Sequence, residues 1–382
     1  MRRVLMIMAA AGFLAAAAPA QAALVNETPA SSWQTDGKVN AIIVGNGKIY
    51  IGGSFTHVRA PGTPAGGAVR NHLAALNVHT GALMPWNPGA NDIVNALALK
   101  PNGKTIYVGG HFTRVNGAAR LHVAAINATR NTLRPWKANT NGKVDVIKAT
   151  RTRVYIGGTF TTLKGNTRNR LGAVSAGSSA ALINWTPHAS SEVYTLQLSA
   201  TGKRLYVGGA FDHMNGKLAN HLAAVKTGGS GAIAKKFHFH PNYPVFSLAL
   251  AGPTLYVGGA GNGGHVTAVT FKTSRARWDI LTDGDVRAIT LRQGIVYVGG
   301  HFNNYCQNHQ GDGGNPLHCV TPTGRRKFLA VNQATGNLTN WNPIGNSVQG
   351  VFAIRSNKSS VMAGGSFSVV HGVNQQGFVR FT

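Results

Sequence analysis

Ile106-Tyr107-Val108-Gly109-Gly110 is a short β-branched and aromatic run closed by two glycines, and it decides the fold because it recurs. Ile49-Tyr50-Ile51-Gly52-Gly53, Val154-Tyr155-Ile156-Gly157-Gly158 and Leu205-Tyr206-Val207-Gly208-Gly209 repeat it. Leu255-Tyr256-Val257-Gly258-Gly259, Val296-Tyr297-Val298-Gly299-Gly300 and a worn Val361-Met362-Ala363-Gly364-Gly365 complete seven copies. Their first glycines stand 57, 48, 51, 50, 41 and 65 residues apart. Self-similarity at such a period marks an array of units, each burying its apolar face against its neighbours.

Working outward from Gly109-Gly110, each unit offers four strand-like pieces. In the second, Ile93 to Leu99 is apolar, Pro101-Asn102-Gly103-Lys104 is a turn, and Thr105 to Phe112 is the next strand. Asn116-Gly117 opens a loop, Leu121 to Asn127 is a third strand, and Leu133-Arg134-Pro135-Trp136 a fourth. Strands punctuated by Asn-Gly and Gly-rich turns predict antiparallel meanders. Seven such units predict an all-β chain: a seven-bladed β-propeller of four-stranded antiparallel blades. Trp86, Trp136, Trp185, Trp278 and Trp341 mark the fourth strands, with Phe237 or Phe239 standing in once, and are expected as wedges between blades. The last unit lacks its Trp strand, so the N-terminal segment around Trp33 is expected to supply it and close the ring without an open edge.

The recurring Tyr107 to Thr113, Val115 to Gly117, His72 to Asn77, Thr80-Gly81 and Trp86 to Pro88 patterns resemble the delta-sixty-repeat β-propeller family of secreted, actinobacterial-type proteins. That resemblance covers essentially the whole chain after its leader. It implies a propeller and an extracellular setting, and it brings no catalytic residues with it.

Residues 1–22 read as a cleaved signal peptide. Arg2-Arg3 gives a positive start, Val4 to Ala18 is apolar, Pro19 closes the run, and Ala20-Gln21-Ala22 is a small-x-small cleavage site. No later stretch approaches the ~20 apolar residues of a membrane span. Residues 23–382 are expected as one secreted domain, monomeric, with an insertion at 303–320. In an exported chain with two cysteines, Cys306 and Cys319 predict a disulfide closing that loop.

The 382 residues carry 37 Lys+Arg against 10 Asp+Glu, a net charge of +27, and charged residues make up 12%. That is about half the usual share of ~25%, and the scarcity of acids argues against two-carboxylate hydrolysis. Asp92, Glu192, Asp283 and Asp285 precede first strands and are the acids a hydrolase would draw on. No zinc motif, nucleophile elbow or phosphate loop occurs, so neither metal nor cofactor is expected. No nucleic-acid recognition motif is present either.

Three sets of residues are candidates for binding or chemistry. In the first strands one position varies while its neighbours repeat: Asn40, Asn95, Asp145, Tyr194, Phe246, Arg287 and Phe352. Such a ring suits an asymmetric ligand, with Asn40, Asn95, Asp145, Tyr194 and Arg287 as the polar contacts. Lys48, Lys104, Arg151, Arg153, Lys203, Arg204, Arg292 and Lys358 fall at equivalent turns and predict a basic crown for a polyanion. Histidines gather after the second strands (His57, His111, His213, His301 and His371) and before the third (His72, His122 and His221), in positions expected to serve their own blades. The expected function is a binding module for an extracellular glycan, an anionic cell-wall polymer or a protein. Alternatives are a lyase on a uronate-containing polysaccharide, with Tyr194, Arg287 and His301 as catalytic candidates, and a structural adhesion scaffold. In the lyase, a cation neutralises the carboxylate while Tyr or His moves the proton.

Overall fold

The structure is a computed structural model describing residues 24–63, 65–261, 263–271, 273–306 and 322–382. Residues 1–22 and Cys319 lie outside the described residues, and so do the leader and the loop-closing disulfide expected there. Among the described residues every regular element is a strand. Seven antiparallel sheets share one order, with the first strand pairing with the second and the second with the third. In the first sheet these are Val39–Gly45, Lys48–Gly53 and Leu73–Asn77. The other six first strands are Val94–Leu99, Val144–Ala149, Val193–Leu198, Val245–Ala251, Val286–Arg292 and Val351–Ser356. Each first strand packs beside the next, and the seventh packs beside the first, so the sheets form a closed ring around a central channel.

The repeated glycines have a steric cause. A Cβ on the first glycine of a pair would strike the valine that opens the next sheet. It would lie 2.5 Å from Val144 Cγ1 at Gly109 and 2.5 Å from Val39 Cγ1 at Gly364. The second contact joins the last sheet to the first. A Cβ on the second glycine would strike a backbone carbonyl at the start of its own sheet, such as Ile93 O at 2.1 Å from Gly110 or Lys143 O at 2.2 Å from Gly158. Those carbonyls accept from the amide that follows each pair, as in His111 N to Ile93 O at 2.9 Å. Only glycine leaves room for this backbone approach.

The fourth strands are shorter than the sequence suggests. Among the described residues only the fifth sheet has a continuous one, Ala276–Thr282. Elsewhere the fourth piece makes one bridge: Leu83 to Leu76, Leu133 to Ile126, Leu182 to Val174, Ile233 to Val225 and Leu338 to Val331. At the seventh sheet the bridge is Ala30 to Arg380. Prolines beside the marker tryptophans (Pro85, Pro135, Pro187 and Pro343) give a reason, since proline donates no ladder hydrogen bond; Ala276–Thr282 contains none.

The tryptophans leave the ladder to wedge between sheets. Trp86 lies edge-on to Tyr50 at 5.1 Å and donates from Nε1 to Asn127 O of the second sheet at 3.0 Å. Trp136 meets Tyr107 at 5.0 Å and donates to Ser175 O of the third sheet. Phe237, not Phe239, takes the tryptophan position in the fourth sheet, 5.2 Å from Tyr206. Each apolar cluster therefore spans neighbouring sheets, as where Tyr50, Leu73 and Trp86 meet Ile106, Val108 and Ile126. Losing one such buried indole typically costs about 3–5 kcal/mol.

Candidate functional site

Every first strand carries a bulge where its sequence varies. Register shifts between Val39 and Ala41, Val94 and Ala96, Val144 and Val146, and Val193 and Thr195. It shifts again between Val245 and Ser247, Val286 and Ala288, and Val351 and Ala353. The unpaired residues are Asn40, Asn95, Asp145, Tyr194, Phe246, Arg287 and Phe352, the variable set. A bulge frees one residue from the ladder and re-aims its side chain. All seven line a cavity of about 200 Å³ in the channel, which also reaches Lys148, Gln197 and Arg355.

Neighbours in the ring touch in series. Asn40 Nδ2 donates to Asn95 Oδ1 at 3.3 Å, and Asn95 Nδ2 donates to Asp145 Oδ1 at 3.0 Å. Lys143 Nζ bonds Asp145 Oδ1 at 3.2 Å and also bonds Glu192. Tyr194 packs on Phe246 with ring centroids 4.9 Å apart. Arg287 lies over Phe246 at 4.3 Å and pairs with Asp285 at 2.7 Å. Phe352 lies under Arg287 at 5.9 Å and Lys38 at 5.6 Å. Cations over aromatic faces gain from the ring quadrupole.

Burial is the largest influence on the Asp145 carboxyl and holds it above the carboxylate range. Lys143 pulls the other way, and Glu192 adds to the rise. With both carboxylates ionised, Asp145 Oδ2 is buried without a hydrogen-bond partner. A protonated Asp145 donating to Glu192 would supply that bond, and this adds to the rise that burial leads. Burial opposes the Lys143 charge, but the two carboxylates outweigh it and hold the ammonium above its ordinary value. The Tyr194 phenol is pushed up, by burial first and then by Glu192.

These arrangements bear on the enzyme readings. Asp145 and Glu192 bond one ammonium and touch each other, whereas glycosidase carboxylates flank a bond at roughly 5–9.5 Å. Asp283 accepts from Asn303 N at 2.7 Å and Asn304 N at 2.9 Å, a loop-capping task. Asp285 is engaged by Arg287. The lyase trio is not assembled. Phe246 separates Tyr194 from Arg287, and exposed His301 is absent from the channel lining. A raised phenol is also the wrong direction for a base.

The histidines are dispersed. His72, His122 and His221 sit at positive φ of 65°, 64° and 67°, but Arg170 and Lys327 occupy the same position at 65° and 70°. The site therefore demands a conformation, not an imidazole. His57 pairs with Asp36 at 3.1 Å. Among the described residues no group of three or more His, Cys, Asp or Glu is placed to hold a metal.

The predicted crown residues lie at the other end of the first strands. Lys104, Arg151, Lys203 and Lys358 are exposed, whereas Lys48, Arg153, Arg204 and Arg292 are half-buried. Arg153 bonds Thr227 O, and Arg292 Nη2 donates to Lys358 O at 3.1 Å, so part of the crown ties one sheet to the next. None of the seven turns between first and second strands carries a carboxylate, while Asp36, Asp92, Asp145, Glu192, Asp212, Asp283 and Asp285 lie towards the ring end.

Two columns escaped the sequence reading as columns, although Glu192 and Asp285 were noted there as acids. Two residues before each ring position stand Lys38, Ile93, Lys143, Glu192, Pro244, Asp285 and Gly350. Three residues after it stand Ile43, Ala98, Lys148, Gln197, Ala249, Thr290 and Arg355. Both columns break the repeat as the ring does, which is the signal that could have found them.

Comparison with protein-family models returns no match, and comparison with curated proteins returns none either. Among solved structures the chain is similar to the crystal structure of the WD40 β-propeller domain of Doa1. The TM-score is 0.56 at 12% identity, over 93% of this chain and 96% of that one. At that identity the likeness speaks for the fold alone: the protein is an all-β chain with a β-propeller fold.

Proposed function

We propose that this protein is an exported, seven-bladed β-propeller of the delta-sixty-repeat kind that binds an extracellular glycan or wall polymer at the bulge-lined mouth of its channel. The ring supports this reading: seven equivalent bulges present five kinds of side chain (amide, carboxylate, phenol, phenyl and guanidinium) to one opening. Blade packing repeats one solution seven times, so variety at the bulges and in the two columns beside them is what an asymmetric ligand requires. Asn40, Asn95 and Asp145 offer amide and carboxylate partners for hydroxyls, while Tyr194 and Arg287 offer a phenol and a guanidinium for an acidic substituent. The basic crown at the far end adds attraction for anionic polymers that fades with salt. In this reading the leader 1–22 is removed, Ala30 and its flanking chain close the seventh blade, and a Cys306–Cys319 disulfide closes the insertion.

Retention of the protein on acidic and neutral glycan supports, over a range of salt, tests the proposal. Phe246→Ala and Arg287→Gln should each weaken retention at least tenfold without altering the fold. If both retain wild-type binding, the mouth is not the site.

A further inference from the structure

The channel has a second tier of polar side chains beyond the mouth. Three residues along from the ring, roughly 10 Å at the rise of a strand, Lys148, Gln197 and Arg355 line the cavity. Lys148 Nζ donates to Gln197 Oε1 at 3.3 Å, and Arg355 Nε donates to Ile42 O at 3.1 Å. Lys148 belongs to the third sheet and Arg355 to the seventh, so the two cations approach from separate parts of the ring and act on each other electrostatically. Arg355 is exposed to solvent in the channel, and the protein around it draws its guanidinium below the ordinary arginine range.

No carboxylate answers them. The first strands contribute Ile43, Ala98, Ala249 and Thr290 at the same level, all uncharged. Asp145 is the one carboxylate lining the channel among the described residues, and it is held at the mouth by Lys143 and Asn95. Two like charges facing one narrow channel repel unless a counter-charge joins them. A cavity of about 200 Å³ has room for one small anion with some water.

We infer that the inner channel is an oxyanion-binding site, in which Lys148 and Arg355 clamp one phosphate- or sulfate-class group while Gln197 orients the lysine. Arginine supplies a fork that suits two oxygens of such a group, and lysine supplies a point charge. The site does not depend on what docks at the mouth. Lys148 strengthens the case because burial, with Arg355 adding to it, draws its ammonium down to about 8. An anion would restore the proton, so binding should weaken as pH rises through that value.

Calorimetric titration of the full chain with inorganic phosphate, and separately with sulfate, tests the inference. Wild type should bind one equivalent saturably at pH 7, with affinity falling at least fivefold by pH 9. Lys148→Met and Arg355→Met should each lose at least tenfold, whereas Lys217→Gln with Lys235→Gln, at exposed positions outside both channel and crown, should bind normally. A short polyphosphate in a parallel arm separates a free-ion site, which takes inorganic phosphate alone, from a site for a polymer terminus, which takes both. Both channel variants can be checked for folding by the melting curve, and neither is expected to melt below wild type. No saturable binding by wild type, or binding unchanged in both channel variants, would overturn the assignment.

Discussion

Across each bulge, a glycine and a ring residue belong to the same few ångströms of sheet, yet one column is seven times alike and the other takes five residue types over seven positions. The second glycine is fixed because a carbonyl fills the space its Cβ would need. The ring residue is free because the bulge removes it from the ladder and turns it into the channel. Steric necessity preserves the symmetry of this chain, and the positions exempted from it are where recognition can be written.

The comparison breaks most severely at the glycines. Gly158→Ala puts a Cβ 2.2 Å from Lys143 O and 3.0 Å from Val144 Cα, both backbone atoms that cannot swing aside. Chemical denaturation should show a loss of more than about 3 kcal/mol, or no folded protein. Gly117→Ala is the control, with open space around it and a φ of 75°. It should cost only about 1–2 kcal/mol, the penalty of a left-handed conformation. Equal costs at the two sites would show that the carbonyl contact does not set the bulge.

Next in size is the contrast between wedge and ring. Trp136 is 2% exposed and ties the second sheet to the third, so Trp136→Ala should cost about 3–5 kcal/mol. Phe246 is half-buried beside the channel, and Phe246→Ala should cost less than half as much while weakening retention on glycan. A Phe246 variant as unstable as the tryptophan variant would make the ring part of the scaffold.

Much of this was legible in the sequence because packing repeats. Gly-Gly pairs, tryptophan markers and turn signals revealed the sheets, and variation within a constant frame revealed all seven ring residues. The bulges were not legible, since an extra residue in a strand leaves no mark until its partner strand is known. The single-bridge fourth pieces were hidden similarly: Leu133-Arg134-Pro135-Trp136 reads as a strand until the proline and the wedge take it out of the ladder. Lys143, Lys148 and Arg355 were passed over because each looks like one more cation in a basic chain. Only the closed ring brings Lys148 of one sheet to bear on Arg355 of another.

A smaller effect separates the two ends of the channel by pH. Lys148 titrates near 8 in the folded chain and in the ordinary lysine range when unfolded. Between those values the unfolded state holds more protons, so this group makes stability rise as pH climbs from 8 towards 10. Urea denaturation across that range should show a gain of roughly 1–3 kcal/mol in wild type relative to Lys148→Met, measured without added oxyanion. Parallel curves for the two proteins would mean that Lys148 is not held in an unfavourable charged environment.

The smallest expected change in stability belongs to the crown. Lys104, Lys203 and Lys358 are exposed at turns that carry no carboxylate, so each sits among like charges in water. Replacing all three by Gln should leave stability within about 0.5 kcal/mol per site, or raise it slightly as repulsion is relieved. Long-range attraction should respond differently, because it sums over the face and is screened over about 10 Å at 0.1 M salt. Retention on an acidic polymer should then lose part of its salt dependence in the triple variant, while Arg287→Gln lowers retention at every salt concentration. Should the triple variant keep the wild-type salt response, the +27 charge acts as a diffuse property of the whole surface, and the crown has no separate part in binding.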